Sequence, residues 1–66
     1  MLELTNRAAY LLRQYKGCRR GQAYSNAFGD LYPEYAEDLI WSGCDPFYDD
    51  SKLDDFFTWV TKKLCT

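Results

Sequence analysis

Histidine is absent from the 66 residues, and with it go the commonest general base, the Ser-His and Cys-His nucleophile pairs and the commonest metal ligand. Cysteine is scarce and badly spaced for zinc: Cys18, Cys44 and Cys65 lie 26 and 21 positions apart with no CxxC pair, whereas a structural zinc site needs four ligands. Three thiols cannot all pair within one chain, and the polar stretch Met1 to Leu12 does not read as a secretory leader. The expectation is a cytoplasmic protein with reduced thiols. No long apolar run suggests a membrane span, and no two-residue alternation, repeat or low-complexity tract suggests a sheet or a disordered tail. With no catalytic constellation and no cofactor motif, the expectation is a binding protein and not an enzyme.

What is present is apolar and aromatic material in a short chain. The composition is 47% hydrophobic and 18% aromatic, enough to fold one small domain, at a size where a single core is only just sufficient. Charge is divided along the chain. Residues 1–22 set Glu3 against five basic side chains for a net of +4, residues 23–55 set nine acids against Lys52 for −8, and the last eleven add +2, giving −2 in all. Such asymmetry bears on association and steering, not on fold.

The spacing predicts an all-α bundle of three longer helices and one short one. A first helix runs from Leu4 or Asn6 to Lys16 and stops at a left-handed Gly17. A second covers Gln22 to Leu31, where Ala23 and Ala27 permit close helix approach and Gly29 weakens the helix by about 1 kcal/mol relative to alanine. Pro33 opens a third of about two turns, ended by Ser42 and Gly43. The segment from Cys44 to Asp50 reads as an ordered loop pinned by Phe47 or Tyr48. Asp50 or Ser51 caps the last helix, with Ser51 and Asp54 spaced as a capping box. Leu53, Phe56, Phe57, Val60 and Leu64 then form the clearest apolar stripe. The expected core is Leu11, Leu12, Tyr15, Ala27, Phe28, Leu31, Leu39, Phe56, Phe57 and Val60.

Two charged regions are candidate sites. The acidic, aromatic stretch offers Glu34, Glu37, Asp38, Asp45, Tyr48, Asp49 and Asp50 as a partner-binding surface. An EF-hand register starting at Asp45 fails, since Phe47, Asp50 and Phe56 fall where a ligand, a glycine and a bidentate glutamate belong. Asp49, Asp50, Asp54 and Asp55 also suit the first turn of a helix, where acids complement its dipole. The turn Lys16 to Gln22 gathers glycines, Lys16, Arg19, Arg20 and a helix N-terminus into an alternative anion-binding site. It lacks Walker spacing, and Cys18 beside two arginines is either a reactive thiol or an ordinary one in a solvated turn. Nucleic-acid binding is disfavoured, because the second helix carries few polar side chains and the rest of the surface is acidic. Tyr24, Tyr32, Tyr35, Trp41, Tyr48 and Trp59 exceed what so small a core can bury, so some face a partner or close the bundle, or make a homodimer interface.

Gly21-Gln22-Ala23 with Asn26, Pro33-Glu34 with Ala36, Asp45-Pro46-Phe47, Asp50 and the Phe56-Phe57 pair together resemble a pattern in small proteins encoded by bacteriophages and prophages. The likeness spans residues 20–60. It implies no catalytic residue or cofactor. It implies a small non-enzymatic protein of the host cytoplasm that binds and modulates a host protein, such as a nucleic-acid-handling or defence complex of the CRISPR-effector type.

Overall fold

The structure, a computed structural model, describes residues 2–65. They form four α-helices and, among the described residues, no strand. α1 spans Leu2–Gln14, α2 Arg20–Leu31, α3 Ala36–Ser42 and α4 Leu53–Cys65, with 3-10 turns at Pro33–Tyr35 and Asp50–Lys52 leading into α3 and α4. None of these helices is long and apolar enough to cross a membrane.

α1 and α2, joined by a short turn, pair closely and antiparallel, Arg7 in the middle of one reaching Asp30 near the end of the other at 3.1 Å. Small side chains make this approach feasible: Ala8, Ala23 and Ala27 are all buried in the seam. α4 is held against α2 by rings instead. Tyr24 meets Phe57 edge-on with centroids 4.9 Å apart, and Phe28 meets Trp59 at 5.5 Å. Leu4, Phe28, Phe56 and Val60 are completely enclosed at the centre. α3 contributes Leu39 to the core, and Lys63 of α4 bonds Asp38 at 3.0 Å while lying over the Tyr35 ring.

Several sequence expectations need correction. Tyr15 is not core: it is 62% exposed, because α1 ends at Gln14 and the α2 residues alongside, Gln22 and Asn26, are polar. Leu12, Leu31 and Phe57 flank the core and are only partly buried, while Leu4, Ala8, Ala23, Tyr24 and Leu53 belong to it. The loop is pinned by neither Phe47 alone nor Tyr48, but by the fully buried Pro46. No Ser51–Asp54 capping box forms; Asp49 caps the turn, accepting from the Ser51 N–H at 3.0 Å and its hydroxyl at 2.6 Å. Gly17 and Gly43 do adopt left-handed backbone, at φ 81° and 78°, where an L side chain would be strained.

Candidate docking groove between α2, α3 and the 44–49 loop

The loop that follows α3 is fastened from two sides, and this fixes what it displays. Asp45 Oδ1 accepts from the Ser25 hydroxyl of α2 at 2.8 Å and from the Phe47 N–H at 3.0 Å. Arg19, just before α2, donates to the Phe47 carbonyl and pairs with Asp50 at 3.6 Å. Asp50 Oδ1 in turn accepts the Gly21 N–H at 3.0 Å. A Cβ at Gly21 would lie 2.2 Å from the Pro46 carbonyl oxygen, so only glycine lets α2 and the loop approach this closely. Five of the residues that carry the phage-protein resemblance, Gly21, Asp45, Pro46, Phe47 and Asp50, take part in this one clasp.

That clasp accounts for the basic turn. Glycines, arginines and a helix N-terminus do converge there, and the anion they hold is the chain's own Asp50. Of Lys16, Arg19 and Arg20, only Arg19 enters it. Lys16 lines a separate cleft of about 430 Å³ between the end of α1 and α2, with Tyr15, Cys18, Gln22, Asn26 and Asp30. Cys18 there is half-buried, its thiol 3.6 Å from the Arg19 carbonyl.

The acidic residues divide in the same way. Asp38 pairs with Lys63, Asp45 and Asp50 fasten the loop, and Asp49 caps the turn before α4. Hydrogen bonds from the Ser51 side chain and backbone hold the Asp49 carboxyl below its ordinary value of 3.8. Glu34 and Glu37 are exposed, and among the described residues they make no hydrogen bond or ion pair. The acids are thus not one interchangeable surface: four have structural partners and two are open to solvent. Among the described residues no three cysteine, aspartate or glutamate side chains gather as a metal site would need.

With the loop fixed, a groove of about 370 Å³ opens between it, α2 and α3. Phe28, Ala36, Leu39 and Phe47 give it apolar walls, and Gly29 leaves space beside α2. At its mouth Ile40 is 64% and Tyr48 86% exposed, and the adjoining Trp41 is 81% exposed. Ile40 and Trp41 come from the same short helix as Glu37, three and four positions on, so the four-residue geometry places all three on one face. Sequence reasoning named Tyr48 and Glu37 for this surface but not Ile40 or Gly29. The available signal was the Ile40-Trp41 pair, since a helix of two turns cannot bury both of these and Leu39 on one core.

Comparison with protein-family models, with curated proteins and with solved structures finds no match.

Proposed function

We propose that this chain is a non-enzymatic binding protein that docks on another protein through the groove between α2, α3 and the 44–49 loop. The observation that carries this is the exposure of Ile40 and Tyr48 at the mouth of an apolar cleft, with the exposed Trp41 next to Ile40 on α3. Exposed tryptophan and tyrosine beside a preformed pocket are the usual anchors of protein interfaces. The rigid loop lowers the ordering cost of association, since Tyr48 follows directly on the clasped residues 45–47. The resemblance to phage-encoded proteins makes a host protein the class of partner, and binding that blocks or modulates it the mode of action. Nucleic-acid binding through the basic turn is less favoured, because Arg19 is engaged with Phe47 and Asp50.

Capture from a bacterial host lysate tests this, comparing the parent with Trp41→Ser/Tyr48→Ser and with Lys16→Ala/Arg20→Ala. All four side chains are exposed, so each variant should keep the parent's circular dichroism. The expected outcome is a captured protein lost with the first pair and retained with the second. Retention by the first pair, or tight gel-shift binding of single- or double-stranded nucleic acid by the parent at low salt, would overturn it.

A further inference from the structure

The groove's chemistry narrows what can enter it. The one charged residue in its lining is Asp45, whose Oδ1 is used twice within the fold and whose Oδ2 accepts no hydrogen bond among the described residues. Glu37 lies one turn before the exposed Ile40-Trp41 pair, Glu34 lies in the 3-10 turn that leads into this helix, and Asp49 follows Tyr48 directly. Among the described residues no basic side chain lines the groove; Lys63 and Arg19 are turned to Asp38 and Asp50. The site is an apolar slot in a negative field, and its occupant must bring the opposite sign or meet repulsion.

A second copy of the chain is a poor occupant. A two-fold contact would set Glu34, Glu37, Asp45 and Asp49 against themselves. It would also cover about 800 Å² per partner for stability, roughly a fifth of the 4497 Å² surface, whereas the exposed apolar residues here are three. A short segment fits the dimensions better: the cleft of about 370 Å³ is near the lower end of the range for small-molecule sites, about 300–1,000 Å³, room for a few side chains and not for a domain face.

Gly29 supplies an independent observation. It stands inside α2, where glycine weakens a helix, and a Cβ added there would meet nothing within 4 Å. No packing contact demands the glycine, and the open space beside it is the groove.

Resting on the docking function above, we propose that the groove takes a cationic amphipathic segment of the partner, its apolar side chains entering beside Gly29 and its lysines or arginines facing Glu34, Glu37, Asp45 and Asp49. Gly29 keeps the slot open at the expense of helix stability.

A displayed library of random 12-residue peptides tests this, selected on the parent and counter-selected on Gly29→Leu, whose side chain would project into the groove. Recovered peptides are expected to carry net positive charge, with apolar residues at three- and four-residue spacing. Synthesised, they should shift the NMR signals of Gly29, Ile40, Tyr48 and the Trp41 indole, and bind at least tenfold more weakly to Gly29→Leu and to Glu34→Lys/Glu37→Lys. Gly29→Leu should melt no lower than the parent, so that lost binding is not lost folding. Recovery of neutral or acidic peptides, of none that depend on the groove, or of binders mapping to the α1/α2 cleft would overturn the proposal. Concentration-dependent self-association, or single-stranded DNA, shifting the same signals would also overturn it. If host capture depends on Trp41 and Tyr48 while no cationic peptide binds, the docking function stands and this assignment of its occupant fails.

Discussion

Phe56 and Phe57 are neighbours in sequence and differ in environment. Phe56 is fully enclosed between the rings of Tyr24 and Phe28, while Phe57 flanks the core with part of its surface in water. Phe56→Ala should therefore cost about 3–5 kcal/mol, against a total stability of roughly 3–10 kcal/mol for a chain of this length, and Phe57→Ala clearly less. Urea titration followed by far-ultraviolet circular dichroism would check the order; equal midpoints would mean that α4 does not pack chiefly through Phe56. The two glycines of α2 should differ in sign. Gly21→Ala drives a methyl into the Pro46 carbonyl and the Asp50 carboxylate and should destabilise by about 1–3 kcal/mol. Gly29→Ala meets open space and should stabilise by about 0.5–1 kcal/mol. Thermal melts of the pair read both at once.

At the scale of elements, the helices were legible because each announces itself locally. Leu4, Ala8 and Leu11, or Leu53, Phe56 and Val60, recur at helical spacing and are buried, and α3 stops at Ser42 and Gly43 as expected. What the sequence did not reveal depends on residues far apart. The Asp50 carboxylate bonds the first turn of α2 from 29 positions away, and no local pattern distinguishes it from Asp49, which caps its own turn. The groove escaped for the same reason: it exists only once Ser25 and Asp45 fasten the loop to α2. The Asp49 cap carries a pH signature. Its folded value lies below the unfolded one, owing first to the Ser51 hydroxyl and then to the Ser51 N–H. Its contribution is therefore complete above the unfolded value and is lost as pH falls through the lowered folded value. The melting-temperature gap between the parent and Asp49→Asn should be constant above about pH 5 and change on acidification below about pH 4. A gap that is flat down to the lowest pH would show that the cap carries no proton linkage.

At the scale of the whole molecule, folding joins the charge blocks instead of separating them. Arg7–Asp30, Arg19–Asp50 and Lys63–Asp38 each tie a basic end of the chain to its acidic middle. All three pairs are substantially exposed, and such pairs contribute about 0–1 kcal/mol each. Their larger consequence is for the field. Three acids are neutralised, Asp30 at the end of α2, Asp38 on α3 and Asp50 after the loop, and Glu34 and Glu37 remain exposed on the approach to the Ile40-Trp41 pair. Reversing both as Glu34→Lys/Glu37→Lys should leave the melting temperature close to that of the parent, since neither makes a hydrogen bond or ion pair among the described residues. If the groove steers a cationic partner, the same reversal should lower its association rate by roughly tenfold while the dissociation rate changes little. Added salt should slow association of the parent and have a weaker effect on the variant. A nucleic-acid site at Lys16 and Arg20 demands the opposite sign: removing two negative charges and adding two positive ones would strengthen binding to a polyanion and steepen its salt dependence. Stopped-flow or surface-based kinetics at two ionic strengths, run beside a gel shift on both proteins, separates the two. Slower protein association with no gain in nucleic-acid binding is the expected pair of results, and faster association after the reversal would place the working surface at the basic turn.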